Sequence, residues 1–197
     1  MKTCILVWFV ALFCCHNVYF AQKEFVDAST RLSGHPRILL QKGEEKALKK
    51  VIMKDAIWKD IHQSLLAEAE DIVKLPVNER IKTGRRLLSI SRENLRRIFI
   101  LSYAYRMSGK SEFLKRAESE MLKAASFSDW NPSHFLDVGE MTMALAIGYD
   151  WLYPQLSVKT RNVIEEAIVE KGLKPSFDER YNWFVDAVHN WNQVCHA

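Results

Sequence analysis

Apolar residues fall three and four positions apart along almost the whole chain, and nowhere do they alternate with the period of two that a half-buried strand shows. The region 41–74 reads as one or two helices, with Trp58, Ile61, Leu65, Ala69 and Ile72 on one stripe, and Pro76 stops it. A short helix is predicted over 79–88. In the next helix Leu95, Ile98, Phe99, Ser102 and Tyr103 make one face, and Ile100, Leu101 and Ala104 cover another, so it is buried on both sides. Gly109 in "MSGK" suits the left-handed position after a helix end. Ser111 is then expected to cap a helix to 125, with Phe113, Leu114, Ala117 and Met121 inward. A helix over 136–152 carries Val138, Met141, Leu145, Gly148 and Leu152 inward. Ser157 caps one that runs to Lys171, with Gly172 at its end. Short turns between paired helices, some buried all round, predict an all-α fold. The hairpins are expected to form a layered array or part of an (α/α) toroid, a compact bundle being the alternative.

The first 22 residues, "MKTCILVWFVALFCCHNVYFAQ", break this pattern. Lys2 precedes an unbroken apolar run over 5–13, too short to span a bilayer, which reads as a secretory signal ending near Ala21. The expected organisation is a signal peptide over 1–21 and a helical domain over 22–197. Cys14 and Cys15 directly after the apolar core leave lipid attachment at a cysteine as the alternative. With the signal gone, Cys195 is the only cysteine left and no internal disulfide is available. That suits a periplasmic or secreted bacterial protein that relies on its core.

The chain is 48% apolar and 26% charged, which places it among globular rather than disordered sequences. Its formal charge of +4 falls to about +3 without Lys2, too small an excess to argue for nucleic acid. It is compatible with an acidic substrate without demanding one.

Two stretches carry candidate chemistry. In "WNPSHFLDVGEM", Trp130, Asn131 and His134 precede Asp137 and Glu140 at a helix start. An indole beside amide and imidazole groups can stack on and hydrogen-bond a sugar; alternatively, Trp130 and Phe135 staple the helix start while the two carboxylates complement its dipole. The second, "NWFVDAVHNWNQVCHA", gathers Asn182, Trp183, Asn190, Trp191, Asn192 and Gln193. Amides are costly to bury unpaired, so this is either a hydrogen-bonded helix junction or a cleft wall. Glycine-rich phosphate loops, Gly-x-Ser-x-Gly, Cys-x-x-Cys and His-Glu-x-x-His are missing, and His189, Cys195 and His196 match no recurrent metal spacing.

"NWNQVCHA", taken with "HFLDVGEMTMALAIGYDWLY" and the early "HPRILL", resembles the N-terminal part of heparinase II/III-like polysaccharide lyases. "SRENLRRIFILSYAYRMSGKSEFLKRAESEM" is similar to their second helical hairpin, and the resemblance runs over 35–197. It implies an incomplete α/α toroid followed by antiparallel β-sheet domains, and cleavage of an acidic, uronic-acid-containing polysaccharide by β-elimination. In that reaction the carboxylate beside the labile proton is neutralised, a Tyr or His takes the proton, and a Tyr or His protonates the leaving oxygen. By the resemblance Asn192 is the first candidate for neutralisation and His196 a catalytic neighbour. Asn190, Trp191 and Gln193 join Trp130, Asn131 and His134 as substrate-binding candidates. No metal is required for the step, and any structural metal belongs to a part beyond Ala197.

The resemblance further implies that the acid–base tyrosine and the β-sheet domains lie beyond Ala197. The 197 residues alone are then expected to be at best marginally folded and inactive. A secreted α/α-repeat module that binds glycans without cleaving them is the alternative. A glycosidase is the weakest reading, because it needs two carboxylates facing each other across a cleft, and Asp137 and Glu140 share one helix face.

Overall fold

Helix α5, Phe135–Leu152, explains the packing of the rest. Val138, Met141, Ala144, Leu145, Ile147, Gly148 and Leu152 are all buried, on more than one face, so neighbours must cover it on several sides. The computed structural model describes residues 34–195; the expected signal peptide and His196 lie outside them. The other helices are α1 (Glu45–Lys54), α2 (Ala56–Lys74), α3 (Leu88–Ser108), α4 (Ser111–Ala125) and α6 (Val158–Ala167), followed by the short α7 (Lys174–Ser176) and α8 (Trp191–Val194). No strand occurs among the described residues, and the fold is all-α.

The helices stack in two layers. Odd-numbered α1, α3 and α5 pack side by side, as do even-numbered α2, α4 and α6, and each helix also packs on the one that follows it in the chain. Helix α3 runs through the middle, with Ile98, Leu101 and Ala104 fully buried against both sides, as its two apolar faces predict. Burying Ile98 or Leu101 contributes about 1.5–3 kcal/mol each. Gly109 ends α3 at φ 74°, the left-handed value expected of it.

Three polar devices lock the layers. Glu120 of α4, fully buried, accepts from Arg97 of α3 at 2.9 Å and from Arg116 at 2.6 Å. Those arginines also donate to Pro76 O just past the end of α2, Arg97 at 2.7 Å and Arg116 at 3.0 Å, and Arg116 reaches Val73 O in the last turn of α2 at 3.3 Å. At the far end of α5, Asp150 takes the backbone N–H groups of Arg37 and Ile38 at 2.9 and 3.0 Å and lies 2.6 Å from His35 Nδ1. The "HPRILL" segment is thereby pinned to α5. The third device, Asp137, belongs to the candidate site.

Several local expectations are corrected. Residues 79–86 form no helix, because their polar groups have tertiary partners. Arg80 grips Asp129 at 2.6 Å, and Thr83 and Arg86 exchange backbone hydrogen bonds around Gly84, whose φ is 61°. Trp58 and Ile61 are about half exposed, so the expected stripe on α2 is buried only from Leu65 onward. The 41–74 region splits at Asp55, which leaves the helical conformation to cap α2 from Ile57 and Trp58 N–H. Ser111 is the first residue of α4 and not its cap. Ser157 does cap α6, through Thr160 N–H at 3.0 Å. Gly172 does not end that helix: it lies in a wider π-type turn over Ile168–Leu173 and is buried where a Cβ would come within 2.5 Å of Thr142 Oγ1 and 3.2 Å of Trp130.

Candidate functional site

The site is built on one buried carboxylate. Asp137, in the first turn of α5, has no exposed surface and accepts three hydrogen bonds. Leu87 N–H donates to Oδ2 at 2.6 Å, Asn131 Nδ2 donates to Oδ2 at 2.6 Å, and His134 Nδ1 lies 2.7 Å from Oδ1. The first of these satisfies a donor at the start of α3, which has no side-chain cap of its own. The second positions the loop before α5, with Asn131 in the left-handed region at φ 62°. Asn131 Nδ2 also donates to Arg85 O at 2.8 Å, which ties the Thr83–Arg86 turn to the same carboxylate.

The third bond aims a histidine. With a carboxylate as its partner, Nδ1 carries the ring hydrogen, and Nε2 is left without a protein partner among the described residues. The His134 ring meets Trp191 edge-on, with centroids 5.0 Å apart, and Trp191 lies 5.0 Å from Trp183 at a 38° tilt. Together with Arg85, Arg86 and Ser133, these three rings line a cleft of about 400 Å³. Aromatic faces, two guanidinium groups and an oriented imidazole give it the means to hold an oxygen-rich, negatively charged ligand.

The expected site residues are only partly brought together. His134 and Trp191 line the cleft, with Trp183 beside them. Trp130 does not: it is fully buried, its Nε1 donates to Ala124 O at 3.0 Å, and its ring packs against Gly172. Asn131 is likewise buried, with its amide held by Asp137 and Arg85, so it shapes the cleft from behind. Both are buried in the packing beneath the cleft, and neither side chain is open to a sugar. Asn190 and Gln193 are exposed, and Asn192 donates its amide to Val185 O, tying α8 to the single 3-10 turn over Trp183–Asp186. The 182–193 stretch is thus a hydrogen-bonded junction that also supplies a cleft wall.

Neither Asp137 nor Glu140 opens to the cleft. Asp137 is spent on its three donors, and Glu140 receives Arg92 Nε at 3.0 and 3.1 Å. Cys195 is half-buried against Gly139 of α5, and burial pushes its thiol up to about 11, so it is protonated near neutral pH. Among the described residues no group of three or more His, Cys, Asp or Glu side chains is placed to hold a metal, and no helix is long and apolar enough to cross a membrane.

Arg85 and Arg86 were not among the expected site residues. Read as part of a helix over 79–88, they merge with an ordinary charged surface. The signal was the glycine in "TGRR", which breaks that helix and turns two adjacent arginines outward. No protein-family model matches the chain, and no curated protein matches it.

Proposed function

We propose that the chain is the helical N-terminal part of an exported lyase that cleaves a uronic-acid polysaccharide by β-elimination. The observation that supports it best is the cleft in which an Asp137-held His134 meets Trp183, Trp191 and two unpaired arginines. Indole faces suit the C–H face of a pyranose, and guanidinium groups suit its carboxylate. Neutralising that carboxylate is what makes the neighbouring C–H acidic enough to lose its proton. Asn192, first in line for that role by resemblance, sits one residue from Trp191, and His196 follows beyond the described residues.

The experiment is to express the open reading frame that contains these residues and incubate it with uronic-acid polymers, following the absorbance of unsaturated uronate ends. New absorbance that rises with chain cleavage supports elimination. Cleavage that yields saturated reducing ends would point to hydrolysis instead.

A glycan-binding module without catalysis is the second reading. The cleft's described lining offers rings and cations for binding and one imidazole, His134, where elimination calls on both a base and an acid, which favours binding for these residues taken alone. Binding of the polymer with no cleavage by the full reading frame would select this reading.

A further inference from the structure

The Thr83–Arg86 turn places two adjacent guanidinium groups at one wall of the cleft. Every other described arginine has a partner: a carboxylate, as Asp129 holds Arg80 at 2.6 Å, or a ring, as Tyr153 lies 4.3 Å beneath Arg161. The side chains of Arg85 and Arg86 have no ion pair, hydrogen bond or ring contact among the described residues. Their backbone is nonetheless fixed. Thr83 N–H donates to Arg86 O at 2.9 Å and Arg86 N–H to Thr83 O at 3.2 Å. Arg85 O is held by Asn131, and the next residue, Leu87, is held by Asp137. A backbone held this way adds no ordering cost of its own when an anion arrives, leaving only that of the two side chains.

We propose that Arg85 and Arg86 form an oxyanion-reading subsite of this cleft. They take the carboxylate of a uronic acid or the sulfate ester of a sulfated sugar, while that sugar's ring lies on Trp183 or Trp191 and His134 Nε2 hydrogen-bonds a hydroxyl. The sugar part rests on the saccharide reading above; the anion part rests on the arginines alone. The planar guanidinium fork matches either oxyanion through paired N–H groups, which a lysine cannot reproduce.

The test titrates the protein expressed from the open reading frame that contains these residues, its Arg85→Gln/Arg86→Gln variant and its Arg85→Lys/Arg86→Lys variant with polygalacturonate, dextran sulfate and neutral dextran. Both arginines are exposed, so matching melting curves will show that the variants fold. The native chain should bind one or both charged polymers and not dextran, and the preferred polymer names the oxyanion. The Gln variant should lose about tenfold or more in affinity, as expected for losing charge-assisted contacts, and the Lys variant should fall between. Equal binding of the charged polymers by the native and Gln chains, or no preference of the native chain for charge over dextran, overturns the subsite. A full reading frame that binds but forms no unsaturated ends sinks only the lyase reading. Unsaturated ends formed with an unchanged KM by the Gln variant sink only the subsite.

Discussion

Asn131 donates its side-chain amide to Asp137 across 2.6 Å, inside the core and six residues away in the chain. The same amide reaches Arg85 O, and the same carboxylate reaches Leu87 and His134. Three separate segments thus meet at two side chains: the turn that carries the arginines, the loop before α5, and the start of α3. The cleft is a surface feature, but its geometry is decided one layer below.

Removing that carboxylate should therefore loosen fold and cleft together. Asp137→Ala leaves the buried donors of Leu87 and Asn131 without this acceptor, at about 1–3 kcal/mol each, and frees the part-buried His134, so a loss of about 2 kcal/mol or more is expected. Asp137→Asn keeps the shape and some acceptor capacity and should cost less. Urea denaturation of the native chain and both variants measures this, and an unchanged midpoint for the alanine variant would show that Asp137 does not organise the site.

Two glycines of α5 should respond oppositely to a methyl group. A Cβ on Gly148 would lie 2.5 Å from Met121 Sδ and 2.6 Å from Ile98 Cγ2, where α3, α4 and α5 meet. Gly148→Ala should destabilise by about 1–3 kcal/mol through overpacking, despite alanine's better helix propensity. On Gly139 the nearest atom would be Val194 O at 3.6 Å, an ordinary contact. Gly139→Ala should be neutral or stabilising by up to about 1 kcal/mol. Thermal melts of the two variants decide it, and similar shifts would mean that close packing at Gly148 is not limiting.

The helix over 136–152 was legible in the sequence because Val138, Met141, Leu145, Gly148 and Leu152 repeat at three and four, and Leu95 to Met107 because its apolar residues outnumber what one face can hold. Ser157 and Gly109 were legible because capping chemistry is local. What the pattern could not reveal was decided by distant partners. Arg80 meets Asp129 and Asn131 meets Arg85 across more than forty positions, and these contacts turn an expected helix into the turn that carries the cleft cations. Trp130 looked like a sugar platform because indole is equally suited to a cleft and a core, and only Gly172, brought in by a later turn, shows which. His134 was legible as a polar ring near a helix start, whereas its orientation depends on a carboxylate three residues on, read only as a dipole complement.

Acid should weaken the α3 surface network through Glu93. Its carboxyl is held below its ordinary value of 4.5, first by hydrogen bonding to Arg96 and further by Arg97, against the opposing effect of burial. Arg96 and Arg97 each approach it within 2.6 Å. A carboxyl whose folded value is depressed contributes stability that is fully present above its unfolded value and is lost as pH falls through the folded one. The native chain should therefore lead a Glu93→Gln variant in stability at pH 6, by about 1 kcal/mol or less for so partly exposed a group, and the gap should close below pH 4.5. Denaturation midpoints of both chains across that range test it, and a gap that widens in acid contradicts the assignment.

Trp130 and Trp191 should separate stability from binding. Trp130 is in the core, and Trp130→Phe removes its hydrogen bond to Ala124 O, which keeps Phe127 N–H at 3.3 Å, and leaves a gap where the larger ring packed, at a cost of about 1–3 kcal/mol. The folded fraction should still bind a charged polysaccharide as the native chain does. Trp191 is only half-buried and faces His134 and Trp183 across the cleft, so Trp191→Ala should cost less stability and lower affinity about tenfold, the loss of one aromatic anchor. Melting curves and titration with the polymer that the native chain prefers provide both readings on the same samples. If Trp191→Ala binds normally while Trp130→Phe does not, the saccharide lies elsewhere on the molecule and the cleft beside α8 is only a seam in the packing.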